Sequence, residues 1–489
     1  MRRRAHIAVA AALLAGCTVG PDYVRPQVAA PAAWRIDYPQ AAEVANTKWW
    51  EQFGDPVLNE LVETALRENQ DVRIAAARVD QFLGALQSTR SQFYPQIGYG
   101  ADASRNRASR IGQPPIPSGS DPYYTLYQAS LGASWQLDLF GRVRRLSEAA
   151  QAQAYASEQG RRGVVLSVVT SVAASYIALR VLDRQLEVAQ RTAANFEDTV
   201  KLFDLRFKGG VVSQTEVSQA QSQYQQARAA IPALELQIAA QENLISVLLG
   251  RAPGPIARGK SIDQFALVAI PANLPSSLLE RRPDILQAEQ NLVAANASIG
   301  AARALYYPTI SLTGVLGSVS TAAGDFLTSA SRAWSAAAGL TGPVFTFGGI
   351  EGQVRTAEGG EREAVVFYQR TILEAFRETN DALVGTQKKV QESDAQILRV
   401  AALREFARLS RLKFDNGAAS YLEVLYAENE LFGAELNAVR SLGERYTQIV
   451  NVYQAMGGGW VDLADRLAPQ PQDWSKPGWA NRGTAPQQK

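Results

Sequence analysis

The sequence predicts a mainly α-helical protein that also contributes β-strands to a membrane barrel shared between copies of the chain. Three observations carry that prediction: a tandem duplication, two alternating segments long enough to cross a bilayer, and very long helical stretches beside them. With 489 residues, 46% apolar and 20% charged, the chain has material for more than one folded unit. Its formal net charge of +2 gives no electrostatic footprint for nucleic acid. One His, His6, and one Cys, Cys17, lie near the start of the chain. If that segment is processed, no imidazole and no free thiol remain. Cys/His zinc sites, Cys nucleophiles, Ser-His-Asp triads and disulfides are then excluded together, and no catalytic residue, metal or cofactor is expected.

Arg2, Arg3 and Arg4 precede an apolar run from Ile7 to Ala15, the charged and hydrophobic regions of an export signal too short to span a bilayer. Leu14-Ala15-Gly16-Cys17 then reads as a lipobox, in which residues 1–16 are removed and Cys17 receives the lipid. Thr18 stands where Asp commonly retains bacterial lipoproteins in the inner membrane, so the expected address is the outer membrane, lipid-anchored and extending into the periplasm. No later stretch offers about 18 uninterrupted apolar residues, so no transmembrane helix is expected. Any further membrane span has to be made of strands.

Self-comparison gives the organisation of the rest. Asp71 to Pro95 pairs with Asp284 to Pro308 at a constant offset of 213. From Phe140-Gly141 to Leu249-Gly250 the partner is Phe347-Gly348 to Met456-Gly457, at a constant offset of 207 and without a gap. The first copy therefore has the longer connection between these blocks, and the Pro/Gly/Ser-rich run from Ile111 to Pro122 supplies it.

Each copy begins with an Ala-rich helix, Asp71 to Phe93 and Asp284 to Tyr306, stopped by Pro95 and Pro308. The period then changes to two. Tyr127, Ala129, Leu131, Ala133, Trp135 and Leu137 alternate with Gln128, Ser130, Gly132, Ser134, Gln136 and Asp138, and Ile310, Leu312 and Leu316 alternate with Thr309, Ser311 and Thr313. A tilted strand of about 9–11 residues crosses a bilayer, and these runs suffice. Arg142 to Lys208 contains no Pro and carries heptads through Val172, Leu179, Leu186, Ala193, Val200 and Phe207. At about 1.5 Å per residue it reaches roughly 100 Å. Gly209-Gly210 ends it, and Ser213 with Glu216 forms a capping box for the next helix; Ser420 with Glu423 is expected to repeat this.

The chain is accordingly divided into a signal peptide (1–16), an anchor segment (17–60) and a first repeat (61–250) with a β-hairpin over 96–138 and a helical hairpin over 142–250. A linker (251–282), a second repeat (283–456, with hairpins over 309–346 and 349–456) and a C-terminal segment with a polar tail (457–489) follow. Two hairpins give four membrane strands, yet a sheet in lipid must close, which takes about eight strands or more. Chains must pool their strands, as a dimer or a trimer.

Trp49-Trp50 with Phe53-Gly54-Asp55-Pro56, the run Trp135 to Arg142, Leu279 to Ile285 with its Arg281-Arg282-Pro283-Asp284, and Gly457-Gly458-Gly459-Trp460, together with the lipobox, resemble the TolC-type outer membrane efflux proteins. The lipoprotein branch, OprM-like and NodT-like, fits best. The resemblance implies a homotrimer with a twelve-stranded β-barrel, a long periplasmic α-barrel, and a mixed equatorial domain from segments near 18–60, 251–282 and 457–468. It also implies a periplasmic adaptor (membrane fusion) protein and an inner-membrane pump, commonly of the resistance-nodulation-division class. The chain would be the outer membrane exit duct of a tripartite system exporting drugs or other small amphiphiles. A type I protein secretion duct and a pore-less lipid-anchored coiled-coil scaffold are the alternatives; carboxylates at helical-surface spacing speak against a hydrolase.

Two candidate sites follow. Gly210-Val211-Val212-Ser213 and Gly417-Ala418-Ala419-Ser420 are tight, small hairpin tips that a helix tip of the adaptor can approach, and the family's adaptor contacts fall there. Beyond the second tip, Leu422, Tyr426 and Asn429 lie at spacings of 4 and 3 on one helix face, which symmetry repeats around a pore as a closed entrance. OprM-like relatives usually carry Asp and Arg at the positions of Tyr426 and Asn429, so an apolar rather than a charged constriction is expected. Glu428 and Glu430 are the next candidates.

Overall fold

The computed structural model describes residues 18–28, 47–111, 117, 119–266, 281–457 and 460–471. Cys17, the expected signal peptide and the polar tail from 472 lie outside the described residues. The elements are α1 (Pro56–Glu68), α2 (Gln70–Ser91), β1 (Gln96–Arg107), β2 (Tyr123–Leu137), α3 (Arg142–Lys208), α4 (Gln214–Leu248), α5 (Pro283–Arg303), β3 (Thr309–Ser320), β4 (Arg332–Thr341), α6 (Gly349–Asp415), α7 (Tyr421–Met456) and α8 (Trp460–Asp465). They group into two compact units that cut across the sequence repeats: Met1–Pro26, Asp80–Ala156 and Ala288–Tyr368, and Gln27–Val79, Ser157–Gln287 and Gln369–Lys489.

The first unit holds a four-stranded antiparallel sheet in the order β1-β2-β3-β4. Because side chains alternate across a pleated strand, the register decides which residues share a face. Leu131 lies opposite Tyr99 on one side and Leu316 on the other, and Leu316 opposite Trp334. The same face therefore carries Ile97, Tyr99, Ala101, Ala103, Leu131, Ala133, Trp135, Ile310, Leu312, Leu316, Trp334 and Leu340. Ile97, Tyr99, Leu131, Leu316, Trp334 and Leu340 are all more than half exposed, an apolar sheet face that none of the described residues covers. Asp102, Ser104, Gln128, Ser130, Gln136, Ser311, Thr313 and Ser335 take the other face, where Leu126, Val315 and Val319 interrupt the polar run.

The helices of this unit approach closely because their contact is Ala149, Ala152, Ala294 and Ala297. The segment that follows Cys17 is strapped across them. Val19 N–H donates to the Phe140 carbonyl (3.3 Å), Arg145 to Asp22 (2.7 Å) and the Tyr23 hydroxyl to Glu289 (3.2 Å). Gly20 has φ of +109°, and a Cβ there would lie 2.4 Å from the Gly300 Cα, so the strap needs glycine on both counts.

The second unit is centred on aromatic residues. Trp49 stacks on Tyr453 (5.1 Å, 11°) and meets Trp50, Phe53 and Trp460 edge-on. Phe265 packs on Phe53 and Tyr446, so segments before α1, before α5 and after α7 share one core. Asp55 is fully buried yet satisfied: it caps α1 by accepting from Val57 N–H (2.9 Å), and also accepts from the Tyr176 hydroxyl (3.0 Å) and Lys260 N–H (2.9 Å).

α3 contains an 18-residue window whose length and mean apolarity would suffice to cross a membrane, although Ser167, Thr170 and Ser171 interrupt its apolar run. Its residues, among them Val165, Val169, Val172, Ala173, Tyr176, Ile177 and Leu179, are buried in the core of the second unit, which explains the apolarity without a bilayer.

Candidate functional site

Both helical hairpins turn through the same backbone motif. At the end of α3, Gly210 has φ of +70°, its N–H bonds the Phe207 carbonyl (2.9 Å), and Val211 N–H bonds the Arg206 carbonyl (2.9 Å). At the end of α6, Gly417 has φ of +71°, with Gly417 N–H on Phe414 (2.9 Å) and Ala418 N–H on Lys413 (2.8 Å). This is the Schellman pairing, and its left-handed position is held by Gly in each copy. Nothing lies within 4 Å of where a Cβ on Gly210 or Gly417 would sit, so both tips are open to an approaching group. Val211 and Ala418 are exposed at the two tips, with Val212 and Ala419 half-buried behind them.

The capping chemistry differs. Ser213 and Glu216 form the expected reciprocal box. Ser420 makes no side-chain cap. Glu423 instead accepts from Ser410 Oγ (3.2 Å) and pairs with Lys413 (3.5 Å), both on α6, so the second tip is tied across its hairpin rather than along its helix.

Below the tips Phe203, Phe414 and Tyr421 form a ring cluster, with Phe203 4.0 Å from Tyr421 and 6.0 Å from Phe414. This cluster, with Val200, Val217, Val424 and Leu425, joins α3 and α4 to α6 and α7. Leu422 and Tyr426 stand outside it, 61% and 62% exposed, which excludes them from the helix seams within the chain. Tyr426 meets only the edge of Phe406 among ring contacts of the described residues (6.3 Å). Asn429 leaves the pair: it is half-buried and accepts from Gln226 Nε2 on α4 (3.3 Å).

Sequence reading missed a charged cleft immediately beyond. A cavity of about 510 Å³ is lined by Arg191 of α3, Arg404, Arg408 and Arg411 of α6, and Glu428 and Glu435 of α7. Glu435 bridges Arg191 (2.6 Å) and Arg404 (2.7 Å), linking three helices. Glu428 is the poorly served member: Arg411 stands 3.8 Å away, and one carboxylate oxygen is buried without a hydrogen-bond partner. Burial pushes its pKa up and Arg411 offsets this only in part. The legible signal was spacing, since Arg404, Arg408 and Arg411 lie at 4 and 3 on one helix face. Among the described residues, no group of three or more His, Cys, Asp or Glu could hold a metal ion.

The sequence pattern of the outer membrane efflux proteins matches residues 61–251 and 274–458, once for each repeat. The chain belongs to the outer membrane efflux protein family. It is 33% identical over 473 residues to the toluene efflux pump outer membrane protein TtgC of Pseudomonas putida, covering 95% of this chain and 97% of that one. It is 31% identical over 456 residues to the probable outer membrane lipoprotein SilC of Salmonella typhimurium, covering 92% and 96%. The open state of the Neisseria gonorrhoeae MtrE outer membrane channel superposes with a TM-score of 0.82 at 29% identity, over 91% of this chain and 99% of that one. This outer membrane efflux protein thus has the fold of trimeric channels, mainly α, with four membrane strands from each copy and twelve in the assembly. It is an outer membrane efflux channel.

Proposed function

We propose that this channel is the exit duct of a tripartite efflux system for drugs or other small amphiphiles, with a periplasmic adaptor and an inner-membrane pump of the resistance-nodulation-division class as partners. The observation that carries the proposal is the pair of hairpin tips. Two turns of identical backbone, each glycine-opened with small exposed residues around it, offer an adaptor helix tip two similar docking places per copy, Gly210-Val211-Val212-Ser213 and Gly417-Ala418-Ala419-Ser420. Leu422 and Tyr426, exposed just beyond the second tip, close the entrance as an apolar ring when three copies meet, with Asn429 held back on Gln226. Cys17 carries the lipid; the strap from Val19 to Arg25 then fixes the anchored end to the helices of the first unit. The name of the relative TtgC supports small apolar cargo, and that of SilC supports the lipid anchor.

The test is a bulky substitution at a tip. Ala418→Trp should reduce co-purification of the periplasmic adaptor and lower drug resistance, with the trimer and its bilayer conductance intact. Unchanged co-purification and resistance would leave the glycines as turn-formers only.

A further inference from the structure

The two hairpins obey the duplication to the residue. Gln96 lies opposite Ser134, and Thr309 and Thr341, their equivalents at offsets of 213 and 207, lie opposite each other. The first repeat is joined to the second by β2 and β3, where Leu131 faces Leu316 and Leu137 faces Ile310. Among the described residues the outer edges of β4 and β1 have no such neighbour. A closed barrel built from such four-stranded sheets already sets β4 beside β1 of a second copy; we infer that the two pair in the register of β2 with β3, so that Ala338 faces the partner's Ala103, and that Phe347 closes over the partner's Tyr94. The inference rests on the trimeric channel and adds to it the register of the seam between copies.

Three observations support this register. It places Leu340 beside the partner's Ala101 and Ala338 beside the partner's Ala103, which keeps the apolar face continuous across the seam; Trp334 falls beside the partner's Arg107, the last residue of β1. A slip of one residue would set Leu340 and Trp334 against the polar row instead. Second, β2 runs three residues past its pairing with β1: Trp135, Gln136 and Leu137 have only β3 beside them. Their equivalents are Gly342, Pro343 and Val344, and β4 stops at Thr341, where β3, its one strand neighbour among the described residues, begins. What is missing beside 342–344 is the strand that β3 supplies in the first repeat. Third, Phe140 stacks on Tyr307 (4.6 Å, 21°). The equivalents of this pair are Phe347 and Tyr94, 99% and 68% exposed. Phe347 also has φ of +46°, costly for a bulky residue and not shared by Phe140, so its segment is strained in the single chain.

Directly opposed residues in an antiparallel pair have Cα atoms about 4.5–5.5 Å apart, within disulfide reach. Full-length Ala338→Cys/Ala103→Cys protein, oxidised in detergent, should give a ladder of covalent dimers and trimers on non-reducing gels, while Ala338→Cys/Ser104→Cys and Ala338→Cys/Ala101→Cys should not. A stronger ladder from either of the latter, or none in protein that is trimeric by light scattering, overturns the register and leaves the channel standing. A monomer without a ladder overturns both. For the aromatic pair, Phe347→Ala and Tyr94→Ala should each hasten loss of trimer on heating, and the double variant should be no faster than the singles; additive effects overturn that contact.

Discussion

Arg282 fastens three parts of the second unit, and its removal has a calculable local effect. Its side chain is 9% exposed. Nη1 donates to the Ala455 carbonyl (2.7 Å), Nε and Nη2 reach Asp284 (3.1 and 2.8 Å), and Nη2 also reaches Glu378 (2.7 Å). Ala455 is in the last turn of α7, where carbonyls lack helical partners. In Arg282→Met the two carboxylates, both more than 40% exposed, can return to water, so each lost ion pair costs at most about 1 kcal/mol. The Ala455 carbonyl loses a charged donor, worth about 1.5–3 kcal/mol. A net of roughly 1.5–5 kcal/mol follows, and since about 1.4 kcal/mol is a factor of ten, local opening should become at least about 10-fold more frequent. Hydrogen exchange of the amides from Val452 to Met456 reads this directly. Lys at 282 should fall between, since it has one charged group for three acceptors. Exchange within threefold of wild type in a trimeric Arg282→Met protein would refute the assignment.

Other expectations are as specific. Leu422→Ala with Tyr426→Ala should raise single-channel conductance and sensitise cells to large antibiotics such as vancomycin without loss of trimer; wild-type conductance would move the constriction elsewhere. Glu428→Gln tests the buried carboxylate. Below the ordinary carboxyl value of about 4.3 the group is protonated both folded and unfolded and contributes nothing; as pH rises from there toward the raised folded value, the unfolded chain ionises while the folded protein holds its proton, so stability falls, and the loss is complete above the folded value. The melting temperature of the Gln variant should therefore exceed that of wild type at pH 7 and converge with it near pH 4, whereas a constant difference would exclude titration of Glu428. Ser213→Ala should destabilise its helix start by about 0.5–2 kcal/mol, as cap loss does, while Ser420→Ala, with no cap to lose, should be near neutral by exchange of the first-turn amides.

The long elements are legible because duplication and period are statistical properties of many residues: strand and helix bounds in both repeats follow from where period two gives way to heptads. The details are not, and the two repeats show why. Ser420 and Glu423 keep the residue types of Ser213 and Glu216 but lose the bond, because Ser410 and Lys413 on α6 attract the carboxylate. Conversely, Arg282 and Asn69 share an interaction without sharing a residue. Asn69 Nδ2 donates to the Leu248 carbonyl (2.8 Å) as Arg282 donates to Ala455, and offsets of 213 and 207 carry one pair onto the other. What both repeats preserve is a donor on the helix-end carbonyl beside a left-handed glycine, Gly250 or Gly457. The different side chains follow from the helix starts beside them. Asn69 must also cap α2, accepting from Asp71 and Val72 N–H (2.8 and 3.1 Å), a task for a short side chain. In the second repeat Pro283 occupies the first helical position, where a missing N–H is harmless, and the Asp284 carboxylate accepts from Ile285 N–H (3.0 Å). Relieved of capping, position 282 can hold a long cation that reaches Glu378 on α6 as well, so the Arg-Arg-Pro-Asp run is a helix start whose capping has been moved two residues along to free an anchor.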